Sequence, residues 1–130
     1  MANGQSISDV ISGITLNAIT LNTLSMADSM AFYAVIGFDL VFGDSDAEFV
    51  TMGAGGCFVN LVRVSRGEDV HAGWGRAIFH VDDVDALYQR VLAAGLQPQA
   101  PPRDAPWGER MFPIYDPSGH DLSFAKRLER

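Results

Sequence analysis

The chain reads as an α+β fold in which two βαβββ modules pair to form one concave mixed β-sheet, an open barrel with its helices outside. Three observations lead there. The order strand, helix, three strands occurs twice, over residues 14–64 and 74–126. Each helix candidate follows a capping residue and ends at a glycine, Gly37 in the first half and Gly95 in the second. Near the C-terminus two β-forming runs, Arg110–Tyr115 and His120–Phe124, flank Asp116-Pro117-Ser118-Gly119. Pro117 presets φ and Gly119 supplies a positive φ, so that tetrapeptide predicts a tight hairpin turn. Self-similarity of this kind sets the architecture before any single element does.

The elements follow in order. Residues 1–13 are polar and glycine-containing, a lead-in to a single domain over residues 14–126. Ile14–Leu24 is rich in Ile, Thr and Leu and reads as a strand. Ser25-x-x-Asp28 is a capping box, after which Met30, Tyr33 and Ile36 make a helical stripe closed by Gly37. Three short strands follow at Phe38–Phe42, Glu48–Met52 and Cys57–Val64. The second half repeats the order. Arg76–Val81 is a strand, and Asp82 or Asp83 caps a helix that turns Val84, Leu87, Tyr88, Val91 and Leu92 inward. A strand near Gln97–Ala100, a Pro-rich loop and the hairpin complete it. Residues 65–73 join the halves.

Composition narrows the classes of function. The net charge is −7, which disfavours nucleic acid, since phosphates call for basic patches. Residues 1–62 carry six acids (Asp9, Asp28, Asp39, Asp44, Asp46, Glu48) and no Lys or Arg, so a cationic ligand is one expectation and a solvated acidic face the blander one. No apolar run reaches the 18 residues of a membrane span. Cys57 is the single cysteine, so no disulfide can form within the chain. With no basic residue ahead of an apolar segment at the N-terminus, a cytoplasmic protein is expected.

Strand alternation assigns faces. Ile19 and Leu21 should pack on the first helix, leaving Ala18, Thr20 and Asn22 on the concave side. Arg76, Ile78 and His80 take the matching places in the second half. Phe58, Asn60 and Val62 face the same cleft as Asp121, Ser123 and Ala125.

Trp107-Gly-x-Arg110 followed by Asp116-Pro-x-Gly-His-x-Leu-x-Phe124 resembles the vicinal oxygen chelate superfamily, which includes glyoxalase I, bleomycin resistance proteins and extradiol dioxygenases. The resemblance covers roughly residues 14–126 and implies homodimers. Its metal-using members hold His, Gln or Glu ligands on four strands, positions that fall here on Ala18, Asn60, Arg76 and Ser123. Ala18 has no donor atom, Asn60 and Ser123 are weak neutral ligands, and Arg76 places a fixed cation where a metal would sit. A protein with no metal and no cofactor is therefore expected, closest in character to the bleomycin-resistance branch.

The candidate ligand-binding residues are Asn22, Phe58, Asn60, Arg76, His80, Trp107, Arg110, Asp121 and Ser123. Arg76 suits an anionic group by its planar fork, or else pairs with Asp121 or Glu109. Trp107 is either a flat wall for an aromatic ligand or a core plug. His80 is a ligand contact or general base, or else bonds Asp82 or Asp83. His120 is expected to be structural and His71 exposed. Two histidines with Asp121 are the one alternative route to a displaced metal site. Phe112 and Tyr115 are expected to add aromatic surface near the cleft. The resulting expectation is a metal-free binder that sequesters or carries an aromatic compound, as in antibiotic resistance. A superfamily lyase, isomerase or dioxygenase using His80 or a displaced metal is the rival, and a scaffold whose own side chains fill the cleft is a third.

Overall fold

A computed structural model describes residues 13–129, so of the expected lead-in only Gly13 is described. Strand β1 (Ala18–Thr23), helix α1 (Met26–Ile36), β2 (Asp39–Phe42), β3 (Phe49–Ala54) and β4 (Cys57–Arg63) form the first module. Two single 3₁₀ turns, Gly67–Asp69 and Ala72–Trp74, cross to the second. There β5 (Arg76–His80), α2 (Val84–Ala93), β6 (Arg103–Ala105), β7 (Glu109–Tyr115) and β8 (Asp121–Arg127) repeat the order. The sheets run β1-β4-β3-β2 and β5-β8-β7-β6. In each, the first strand lies parallel to the last and the other pairings are antiparallel. The two sheets share no ladder, so no barrel closes among the described residues.

Helix starts follow the sequence closely. Ser25 accepts from the amide of Asp28 at 3.3 Å, and Asp83 rather than Asp82 caps α2, accepting from Ala86 N–H at 3.0 Å. Gly37 closes α1 with φ +126°, a region open to glycine. The buried side of α1 differs from the expected stripe: Met26, Ser29, Phe32 and Tyr33 are the fully buried residues, with Met30 and Ile36 only partly covered. The reason is that α1 is apolar nearly all round, as suits a helix wedged between its own sheet and the second module. On α2, Val84, Leu87 and Val91 are buried as the 3.6-residue period requires, whereas Leu92, one step round from Val91, is exposed.

Two strand expectations need correction. Residues 14–17 are not part of β1. Residues 97–100 make no strand, and the edge strand lies instead at Arg103–Ala105, inside the stretch expected to be a loop. Pro98, Pro101 and Pro102 withhold the amides a ladder there needs, so only Gln99 N–H reaches β7, at the Pro113 carbonyl 3.0 Å away, and the ladder begins beyond them. The β6 ladder ends at Met111, two residues before Pro113.

The core is continuous across both modules. Leu21, Phe32, Tyr33, Phe38, Val59 and Leu61 from the first pack in one cluster with Val84, Val91, Phe112, Ile114, Leu122 and Phe124 from the second. Phe38 meets Phe79 edge-on at 5.8 Å, and Phe79 stacks on Phe124 at 5.5 Å. The modules are thus joined through their helix-side faces, and the opposite faces stay open: Phe49, Ile78 and Tyr115 are 40%, 55% and 52% exposed.

A polar seam fixes this junction. Asp116 is only 4% exposed; its Oδ1 accepts the amides of Ser118 and His120 at 2.9 and 3.0 Å, and its Oδ2 accepts the Tyr33 hydroxyl at 2.8 Å. Thr23 Oγ1 lies 2.7 Å from Ser29 Oγ and accepts from Ser118 Oγ at 3.0 Å. His120, 1% exposed, accepts the Trp74 indole N–H on Nδ1 at 2.8 Å, which leaves Nε2 to donate to the Asn22 carbonyl at 2.8 Å. The indole only donates, so this geometry selects the neutral Nε2–H form.

Burial, followed by the charge and hydrogen bond of Asp116, raises the Tyr33 hydroxyl far above its ordinary value of 10.0. Tyrosines of the unfolded chain ionise near that ordinary value, so the contribution of Tyr33 to stability is complete below about pH 10 and declines as pH climbs beyond it. Tyr33→Phe is expected to cost about 2–3 kcal/mol in urea unfolding at neutral pH, because a buried carboxylate oxygen loses its donor. The same variant should show a smaller fall in stability above about pH 10 than the parent chain.

Candidate functional site

The concave side of the second sheet carries most of the side chains singled out from sequence. Strand β5 presents Arg76, Ile78 and His80, and the parallel register with β8 sets Arg76 opposite Asp121, Ile78 opposite Ser123 and His80 opposite Ala125. Strand β7 adds Glu109, Met111, Pro113 and Tyr115, paired with Arg127, Ala125, Ser123 and Asp121. Ala105, Met111 and Ala125 form a small buried floor. Between Tyr115, Asp121 and the backbone of Gly73, Gly75 and Gly119 lies a hollow of about 480 Å³, within the range of small-molecule sites.

Charged partners decide what these groups can do. Arg76 Nη2 meets Asp121 Oδ2 at 3.3 Å, so the carboxylate offsets the cation expected to attract an anionic ligand. Glu109, not Asp82 or Asp83, is the partner of His80: Nε2 and Oε2 lie 2.5 Å apart. The other oxygen of Glu109 accepts the Trp107 indole N–H at 3.0 Å. These two bonds, that of His80 the larger, with the nearby charge of Arg127, hold the Glu109 carboxyl below the usual carboxylate range. Trp107 is not a core plug. It is 60% exposed, and the Arg103 guanidinium lies over its ring at 6.0 Å.

The first sheet is quieter. Phe58 and Asn60 lie on its concave face, and Asn60 is held between threonines, its Oδ1 accepting from Thr51 Oγ1 at 2.7 Å and its Nδ2 donating to Thr20 Oγ1 at 3.3 Å. Asn22 is spent on structure: its Nδ2 donates to the Asp69 carbonyl at 2.9 Å, tying the linker to β1.

Several expectations fail here on facing direction. Arg110 lies on the helix side, where its guanidinium donates to both oxygens of Asp85 on α2 at 2.9 Å and to Asp104 at 3.1 Å. Those bonds, Asp85 first, raise the Arg110 pKa and lower that of Asp85. Phe112 is fully buried against Tyr88 and Phe124, so it offers the cleft no surface. With Phe112 in the core and Trp107 out in solvent, no collapse of aromatics fills the face. His120 is unavailable to a displaced metal site, since both of its nitrogens are bonded in the seam. Cys57 is half-buried, and its thiol donates to the Ala54 carbonyl at 3.4 Å.

The four positions that match metal ligands in the resembled superfamily do not fit a divalent cation. Ala18 offers a methyl group, Asn60 an amide engaged at both ends, and Arg76 a paired cation. Ser123 is fully buried, and its hydroxyl has no hydrogen-bond partner among the described residues. Among those residues no three His, Cys, Asp or Glu side chains converge in a metal-holding group.

A family model described as the Glyoxalase/Bleomycin resistance protein/Dioxygenase superfamily matches residues 15–124. The chain belongs to this superfamily. Solved structures agree in fold. TioX from Micromonospora sp. ML1 is 25% identical, with a TM-score of 0.72 over 88% of this chain and 100% of its own. A bleomycin resistance determinant encoded on the transposon Tn5 is 22% identical, with a TM-score of 0.71 over 88% and 98%. Lactoylglutathione lyase from Agrobacterium tumefaciens is 20% identical, with a TM-score of 0.70 over 86% and 92%. No curated protein matches the chain in sequence. No helix among the described residues is long and apolar enough to cross a membrane.

Two parts of the site escaped sequence reasoning. Sequence offers Glu109 only as a partner for Arg76, although its place two residues after Trp107 and on the strand beside β8 puts it within reach of His80. Trp74 carries no expectation from sequence; its place between two glycines, Gly73 and Gly75, is the available signal of a turn that aims the indole at His120. Because Trp74 locks His120 through Nδ1, Trp74→Phe should cost about 1 kcal/mol in urea unfolding, while nitrogen NMR of the His120 ring should still find the Nε2–H tautomer that the Asn22 carbonyl demands.

Proposed function

We propose that this protein binds a small aromatic molecule without a metal, in clefts completed by a second copy of the chain. The donor chemistry at Ala18, Asn60, Arg76 and Ser123 carries this reading, because none of the four can serve a divalent cation while the surrounding face keeps a wall suited to an organic ligand. Trp107 and Ile78 supply apolar surface, Tyr115 and Asp121 border the hollow, and the Arg76–Asp121 pair offers polar contacts with little net charge. An anionic group on the ligand is therefore no requirement, and the acidic first module leaves a cationic one acceptable.

The second copy is argued from what a single chain leaves bare. Both concave faces are open and carry exposed Phe49, Ile78 and Tyr115, so a partner chain that sets its second sheet over the first sheet of its neighbour would bury them in two equivalent clefts. Phe58 and Asn60 would then face Arg76, His80 and Trp107 of the other copy. Sequestration or carriage of the bound compound is the role this arrangement suits, and one of the similar folds is that of a bleomycin-binding protein in complex with bleomycin.

Three measurements test the proposal. Purified protein should contain no stoichiometric Zn, Ni, Fe or Mn by elemental analysis; a full equivalent of any one, removed by substituting side chains of the concave face, would overturn it. Sedimentation should give twice the chain mass. In a panel of aromatic antibiotics that includes bleomycin, binding should quench Trp107 fluorescence in a Trp74→Phe background. By titration calorimetry, Trp107→Ala should weaken that binding about tenfold, the scale of one lost aromatic contact.

A further inference from the structure

We propose that His80, Glu109 and Trp107 form a proton-accepting site that takes the acidic hydroxyl of a bound phenol or enol and holds the ligand as its anion. The inference rests on the aromatic-ligand reading above and names the chemical class of that ligand.

The geometry orders the protons. Glu109 accepts the indole N–H of Trp107 on Oε1, a donor that can never accept, and faces His80 Nε2 with Oε2. Both carboxylate oxygens are thereby engaged as acceptors, so Nε2 must carry the hydrogen it shares with Oε2. In its neutral form His80 then presents Nδ1 as a bare lone pair, and its side chain is 55% exposed whereas that of Glu109 is 17%. The base faces the cleft and its orienting carboxylate sits beneath it, the division of labour that lets a histidine take a proton without changing tautomer.

Ala125 explains why the pair can form. The register places His80 opposite Ala125 and Ala125 opposite Met111, so a methyl group lies where a larger residue would separate β5 from β7. Glu109 reaches across it. Ile78 and Trp107, 55% and 60% exposed, flank His80 with apolar surface. The charged groups around the pair are Glu109 on β7, Arg127 opposite it on β8, and Arg103 on β6, whose guanidinium lies over Trp107. Glu109 stabilises the imidazolium formed when Nδ1 takes a proton, and the two arginines favour the negative oxygen left on the ligand.

The step is a transfer and nothing else. The ligand O–H bond breaks, the proton passes to Nδ1, and the anion stays paired with the imidazolium. No electrons change hands, and release reverses the transfer.

4-Nitrophenol tests this, because its phenolate absorbs at longer wavelength than its phenol, with 4-nitroanisole as a probe that cannot ionise. At a pH near the free phenol's pKa, wild-type protein should raise the phenolate-to-phenol ratio of bound 4-nitrophenol about tenfold, one pKa unit. His80→Gln should lose the phenolate signal of whatever 4-nitrophenol it binds, and Glu109→Gln should diminish it, each with unchanged circular dichroism. Binding of 4-nitrophenol without added phenolate, or a signal that survives His80→Gln, overturns the proton-accepting site and leaves the aromatic-ligand reading standing. If neither probe binds, the face takes no such ring and both fail.

Discussion

A carboxylate buried without a cation holds this molecule together. Asp116 has no salt-bridge partner among the described residues, and its charge is met by two amides of its own turn and by the hydroxyl of Tyr33. Three hydrogen bonds to an ionised acceptor are strong, and stripping one leaves a desolvated charge uncompensated. The β7–β8 hairpin is therefore bound to α1, and with it the second module to the first. Thr23, Ser29 and Ser118 extend the same seam, and His120 bridges Trp74 to the Asn22 carbonyl.

That junction determines where the open surfaces lie. Because the helix-side faces meet, with Phe38 on Phe79 and Tyr33 on Asp116, the concave sides are left to solvent in one chain. Residues aligned in sequence as one cleft, Asn60 with Ser123 and Ala18 with Arg76, lie on two sheets that share no ladder. Their chemistry also differs. The first sheet ties its amide to threonines, whereas the second concentrates Arg76–Asp121 and His80–Glu109 around exposed Trp107 and Ile78.

Particular residues show how far local reasoning reaches. The turn at Asp116–Gly119, the caps at Ser25 and Asp83 and the stop at Gly37 each follow from neighbours within four positions, and each is present. The alternation that put Arg76, Ile78 and His80 on one face held, since a strand side chain has only two directions available. Arg110 stands three positions after Trp107, but the pleat turns it away from the concave face to Asp85 on α2. The edge strand was misplaced because proline marks where a ladder cannot form without saying where the next one starts.

The sequence by itself determined the module order, the caps and turns, and the two faces of each strand. All of these depend on residue type and on spacing over a few positions. Only the tertiary structure decided which polar groups meet. Tyr33 finds Asp116 83 positions away, Trp74 finds His120 46 away, and His80 finds Glu109 29 away. The reason is physical: a hydrogen bond is made at about 3 Å between groups brought together by packing, and no periodicity along the chain records that distance.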